Sequence, residues 1–95
     1  MKYFILRSFD KKFDAYHRQE QEAITSTLKE IKNFLETRHA SYGLRIKRLS
    51  DKIYEARINI HLRIAYWHEG DTVKFFCLGN HDDIRNCLKN LAKLG

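Results

Sequence analysis

The stretch IYEARINIHLRIAYWHEGDTVKFFCLG, residues 53–79, decides the fold of this chain. Tyr54, Ala56, Ile58 and Ile60 fall on one side of it, with Glu55, Arg57 and Asn59 on the other. Leu62, Ile64 and Tyr66 continue the apolar side, against His61, Arg63, Ala65 and Trp67. A period of two is that of a β-strand with one face on a core. HEGDT, centred on Gly70, reads as a turn. VKFFCLG is almost wholly apolar, as a central strand covered on both faces would be. The stretch predicts antiparallel strands whose outward face carries Glu55, Arg57, Asn59, His61, Arg63 and Lys74. If those strands are neighbours, Arg57 and Arg63 come close together.

Upstream, LRIKRL (44–49) alternates as well, with Leu44, Ile46 and Arg48 opposite Arg45, Lys47 and Leu49. KYFILRSF (2–9) has strand propensity. From Lys11 to Thr37 the pattern is helical, with Asp10 as a candidate cap. Ile24, Leu28, Ile31 and Leu35 repeat at spacings of four, three and four, which is one buried stripe. The polar HRQEQE stretch divides this region into two helices joined near residues 18–22, and SYG (41–43) closes it. At the far end, DDIRNCLKNLAKL places Ile84, Leu88 and Leu91 on one stripe, with acids first and Lys93 late, as a helix dipole favours. The prediction is one domain over residues 1–95, an α+β fold: a small twisted antiparallel sheet, an N-terminal helical hairpin against one face and a C-terminal helix.

The totals narrow the class. The 95 residues are 43% hydrophobic, enough for a modest core. No apolar run approaches the roughly 18 residues that cross a bilayer, and the N-terminal patch lacks a signal-peptide cleavage site. A cytoplasmic protein with no membrane partner is expected. Cys77 and Cys87 fit no metal-ligand spacing and read as two reduced thiols. The formal net charge is +6, and the excess is local. From Arg38 to Arg63 there are seven Lys or Arg against Asp51 and Glu55, as a phosphate-binding surface requires.

Several side chains have two readings. Arg57 and Arg63 can grip a phosphate and stabilise transition-state charge, or be ordinary solvated strand arginines. His81 can exchange a proton at neutral pH, or it or Asn80 can cap the last helix. Asp82 and Asp83 read as first-turn acids. No combination of His61, His68, His81, Asp82 and Asp83 has a metal-site spacing, so no metal or other cofactor is expected. Trp67 can stack on an unpaired base.

Taken together, RLSDKIYEARINIHLRIAYW (48–67) and LGNHDDI (78–84) resemble the C-terminal half of the RelE/ParE superfamily of toxin–antitoxin toxins. The family pattern is a basic strand, an RI.Y strand, a turn, an apolar strand ending in glycine, a basic residue or histidine, and a short helix. The ending is similar to the GTH.D of YafQ-type ribosome-dependent endoribonucleases.

The resemblance implies a RelE-like mRNA interferase that works without a metal. The 2′-hydroxyl attacks the adjacent phosphate, leaving a 2′,3′-cyclic phosphate and a 5′-hydroxyl. By the same resemblance Arg63 binds the phosphate, Arg57 occupies a strand position that is basic or histidine in relatives, and His81 is the general acid. Glu55 or His61 is the base. Lys47, Arg48 and Lys52 hold the RNA backbone, and Arg85 or Trp67 replaces the aromatic residue that several relatives use to stack a base. Glu55 stands where RelE-type members often have lysine. The implied partners are a cognate antitoxin in a hetero-oligomer, the ribosome and mRNA. Two alternatives remain: a ParE-like inhibitor of DNA gyrase, and a decayed homologue that binds RNA without cutting it.

Overall fold

A computed structural model describes residues 1–94, with side chains through Leu91. The elements are β1 (Lys2–Ile5), α1 (Arg7–Asp14), α2 (Arg18–Thr37), β2 (Arg45–Arg48), β3 (Ile53–Arg57), β4 (Arg63–Glu69), β5 (Thr72–Gly79) and α3 (His81–Leu94). The five strands form one sheet in the order β1-β5-β4-β3-β2. The fold is α+β, as the sequence predicts.

The helical stripe packs as its spacing requires. Ile24, Leu28, Ile31 and Leu35 of α2 are all buried. They meet Ala56, Ile64, Tyr66, Val73 and Phe75 on the apolar side of the sheet, with Phe9 of α1. Each such side chain removed from water contributes about 1.5–3 kcal/mol. Tyr66 is among the most enclosed, with its ring 5.7 Å from that of Phe75 and 5.5 Å from that of Tyr54. Burial holds its phenol well above the ordinary range. β4 and β5 are joined by a two-residue turn with Glu69 paired to Thr72. Gly70, at φ 61, takes the left-handed position such a turn needs.

The sheet is mixed, not antiparallel. β1 runs parallel to β5, with Tyr3 opposite Val73. The helical hairpin carries the chain from β1 at one edge of the sheet to β2 at the other, and the antiparallel run β2–β3–β4–β5 then brings β5 back beside β1. α1 begins at Arg7, earlier than the Asp10 cap predicts, because Leu6 N–H and Ser8 Oγ bond to the carbonyls of Phe75 and Phe76 and start the helix against β5. The break between α1 and α2 falls at Ala15–His17, earlier than the join expected near residues 18–22, which are already the start of α2; Glu20 accepts a hydrogen bond from His17 N–H at 3.1 Å and fixes that start.

Helices also cover both faces of the sheet. α3 lies on the side opposite the hairpin, where Ile84, Cys87 and Leu88 pack with Ile53, Ala65, Phe76, Cys77 and Trp67. That explains the apolar β5: both its faces are covered. Leu91, expected on the same stripe, is 38% exposed, and the Lys93 side chain lies outside the described residues.

The two cysteines are not free thiols. Cys77 and Cys87 form a disulfide with their Cα atoms 6.4 Å apart, within the usual span. Cys77 points from β5 toward α3, and Cys87 lies three residues after Ile84 on the helix side that returns over its own strand. Among the described residues no helix is long and apolar enough to cross a membrane.

Candidate functional site

The half of the second face that α3 leaves open is ruled by strand register. Arg45 of β2 pairs with Arg57 of β3, Arg57 with Arg63 of β4, and Arg63 with Gly79 of β5. Residues directly opposite one another share a face, so three arginines form one rung across three strands. The rung ends at Gly79, where the chain turns into α3. The neighbouring rung on this face is Lys47, Glu55, Ala65 and Cys77.

Together these residues line a hollow of about 430 Å³ formed by Leu44, Arg45, Ile46, Lys47, Glu55, Arg57 and Arg63. Four of the seven are cations and one is a carboxylate. Like charges directly opposite on a sheet are destabilising by roughly 0.2–1 kcal/mol per pair. Arg45, Lys47 and Arg57 have no ion-pair partner among the described residues. A concave face with an uncompensated positive field attracts an anion.

Arg63 is held differently. Its Nη1 reaches both oxygens of Glu55, at 3.5 and 3.4 Å. Charge-assisted bonds of this kind are usually about 2.7–2.9 Å, so the pair is loose. Both side chains are largely enclosed, Arg63 22% and Glu55 9% exposed. Arg63 Nε is buried with no hydrogen-bond partner among the described residues.

Asn80 and Asp83 build the start of α3. Asn80 Oδ1 accepts from Asp83 N–H, and Asp83 Oδ2 accepts from Asn80 N–H, both at 2.9 Å. This reciprocal cap satisfies two otherwise orphaned donors. It also explains Gly79: a Cβ there would lie 2.5 Å from Asp83 Cβ and 2.7 Å from its Cγ. The cap is therefore Asn80, and His81 is the first helical residue, exposed, two residues after the Gly79 that pairs with Arg63.

The remaining predicted residues are dispersed. Asn59 and His61 are not on the outer sheet face. β3 stops at Arg57, and Ile58 and Asn59 N–H both bond to Leu62 carbonyl, closing a turn. His61 sits in that turn, where its N–H bonds to Asn59 Oδ1 at 2.8 Å. It lines a second hollow with Asn80, Asp83, Tyr16 and Glu20, so turn and helix start are neighbours. Tyr16 there is held protonated above its usual range by burial, then by Asp83 and Glu20. Ile60, predicted on the core side, is 68% exposed for the same reason.

Arg48 and Lys52 lie in and beside the β2–β3 turn, toward the other end of the strands. Arg48 bonds to Asp51 at 3.0 Å, and Lys52 pairs with Glu69. Trp67 is four residues along β4 from Arg63, roughly 13 Å at strand rise. Its ring packs under α3, with Lys74 Nζ 5.0 Å from the centroid. Arg85 is exposed on α3. Arg45 is the residue that sequence reasoning left out of the site. Its place beside Lys47 in LRIKR was visible; its register against Arg57 was not.

A larger hollow, about 490 Å³, lies on the α1–α2 hairpin. Its Arg18 and Glu22 pair with each other at 3.4 Å, which leaves Lys29 as the one lining charge without an ion pair among the described residues, against three in the arginine hollow. Among the described residues no three His, Cys, Asp or Glu side chains cluster as a metal site would.

No family model and no curated protein matches the chain. Among solved structures it is similar to a copper-bound mutant toxin from Helicobacter pylori, with a TM-score of 0.64 and 20% identity over 88% of this chain and 98% of that one. A conserved hypothetical protein from the same organism aligns with a TM-score of 0.47 at 17% identity, also over 88% of this chain and 98% of that one. The first likeness shows that the fold is shared with a bacterial toxin.

Proposed function

We propose that the chain is the toxin of a toxin–antitoxin pair and cuts mRNA on the ribosome as a RelE-like endoribonuclease. The observation that carries this reading is the arginine rung Arg45–Arg57–Arg63, open to a hollow and largely uncompensated. The shared fold of the Helicobacter pylori toxin supports the toxin assignment, and the resemblance of residues 44–86 to RelE and YafQ-type sequences supports the chemistry.

In this reading Arg57 and Arg63 bind the non-bridging oxygens of the scissile phosphate. Their charge stabilises the extra negative charge that develops as the 2′-oxygen adds to phosphorus. Glu55, beside Arg63, takes the 2′-hydroxyl proton; His61, in the β3–β4 turn and lining the other hollow, is set aside as the base. His81 gives a proton to the departing 5′-oxygen. One P–O bond forms and one breaks, leaving a 2′,3′-cyclic phosphate and a 5′-hydroxyl, with no metal required.

Lys47 extends the phosphate contacts along the open face. Arg48 and Lys52 contribute further along the RNA once they leave Asp51 and Glu69. Arg85 stacks its guanidinium plane on a base, while Trp67 is occupied by Lys74 and α3. The antitoxin partner carries an acidic, largely disordered segment that covers the rung in a hetero-oligomer.

Induced expression with mapping of transcript ends tests the reading, comparing the wild type with Arg63→Ala and His81→Ala. Expected are cuts within translated codons and growth arrest in the wild type, both lost in the variants. Full activity in both variants refutes it. Growth arrest with DNA damage and intact transcripts replaces it with the gyrase-inhibitor reading.

A further inference from the structure

Inside the hollow the Glu55–Arg63 pair satisfies neither partner well. A guanidinium presents five N–H donors in a planar fork suited to a bidentate oxyanion. Glu55 engages only Nη1, at 3.4 and 3.5 Å, and Nε is buried with no acceptor among the described residues. A buried donor without an acceptor is costly. Around the pair stand Arg45, Lys47 and Arg57, none with a carboxylate of its own among the described residues. Among the described residues Glu55 is thus the one anion lining a hollow suited to an anion.

Resting on the reading of this hollow as a phosphate site, we propose that Glu55 is its resident counter-ion, displaced from Arg63 when a phosphate group binds. In the free protein the carboxylate neutralises one charge of the rung and keeps Arg63 in place. An arriving phosphate offers more acceptors and takes the fork, including the donor at Nε that the carboxylate leaves unused. Glu55 is then released beside the bound phosphate, unpaired.

Two consequences follow. Exchange works against a lone phosphate, which must evict a carboxylate for one new contact. It favours a chain of phosphodiesters, whose neighbouring phosphates reach Arg45, Arg57 and Lys47 in the same event. The ligand class is therefore a chain of linked phosphodiesters, not a mononucleotide. In the proposed cleavage reaction the released carboxylate becomes available as a base only once substrate is in place.

The test uses probes that cannot be cleaved: inorganic phosphate and an all-deoxy oligonucleotide, which has no 2′-hydroxyl. Binding is measured for the wild type, Glu55→Gln, and Glu22→Gln as a charge-matched control on α2. Glu55→Gln is expected to tighten phosphate binding about tenfold, the equivalent of one charge-assisted hydrogen bond no longer forfeited. Glu22→Gln should leave it near the wild-type value. The same or weaker phosphate binding in Glu55→Gln overturns the proposal, as does equal tightening in both variants.

A measurement on the wild type alone guards against misfolding of the variant. Titrated with the oligonucleotide, the Arg63 Nε–H and Glu55 side-chain carboxyl NMR resonances should move together. Binding in which neither moves, or no binding of either probe, overturns the exchange. Because neither probe can be cut, exchange without any mRNA cleavage in cells would sink the nuclease reading and leave this one standing.

Discussion

Reducing the bond between Cys77 and Cys87 should destabilise the protein by about 2.7 kcal/mol. The two cysteines are 10 residues apart, and the chain-entropy estimate for a closed loop of that length gives about 9 cal/mol/K, or about 2.7 kcal/mol at 25 °C. Reduction recovers little. In the disulfide Cys77 Sγ lies 3.6 Å from the carbonyl oxygen of Asp83 without a proton to donate. The free thiol can donate there, but only as a weak donor. For a chain of 95 residues, the midpoint falls about 5 °C per kcal/mol, so the expected drop is about 13 °C. The assay is thermal unfolding of oxidised protein with and without a thiol reductant, with Cys77→Ser/Cys87→Ser insensitive to the reductant. A midpoint that moves by less than about 3 °C refutes the estimate. If both thiols of oxidised protein remain open to alkylation after denaturation, the bond itself is refuted.

Two further outcomes are expected. Because burial raises the Tyr66 phenol, the folded state holds its proton where the unfolded chain gives it up. Stability is then complete below the unfolded pKa of about 10 and declines as pH rises past it; Tyr66→Phe should flatten that alkaline decline in urea unfolding, and an unchanged slope would count against the burial argument. Arg57→Ala removes the middle of the rung without breaking any ion pair among the described residues. It should leave stability unchanged or raise it by about 0.5 kcal/mol while lowering affinity for single-stranded RNA and flattening its salt dependence; a loss of stability with unchanged RNA binding would make Arg57 a structural residue.

The parts of the fold that local patterning controls were legible. The α2 stripe follows from a 3.6-residue period, and the Gly70 turn from a single backbone requirement. What depends on pairing across the chain was not. The segment Ile58–Leu62 alternates as a strand does, yet hydrogen bonds to the Leu62 carbonyl fold it into a turn, which removes Asn59 and His61 from the sheet. Glu55 sits at an alternating polar position and reads as exposed. Its burial comes from enclosure beside Arg63 on the half-covered face. A spacing of 10 gives no hint of a disulfide until α3 is known to lie back over β5. For the candidate site, Arg57 and Arg63 were visible as neighbours, whereas Arg45 joined them only through the β2–β3 register.

The pairing of β1 with β5 has a temporal side. Lys2 through Ile5 find their backbone partners at Thr72 through Phe75, and Leu6 and Ser8 anchor α1 to the same strand. During synthesis β1 and the first turn of α1 therefore lack these backbone partners until residues 72–76 have been made. Closing so long a separation is slow. The arginine rung shares this dependence, because Arg63 is held against Gly79 at the end of β5. The rung proposed as a phosphate site is therefore completed only after β5 has been made and has paired with β4, a delay that keeps that surface from forming while its own strands are still being added.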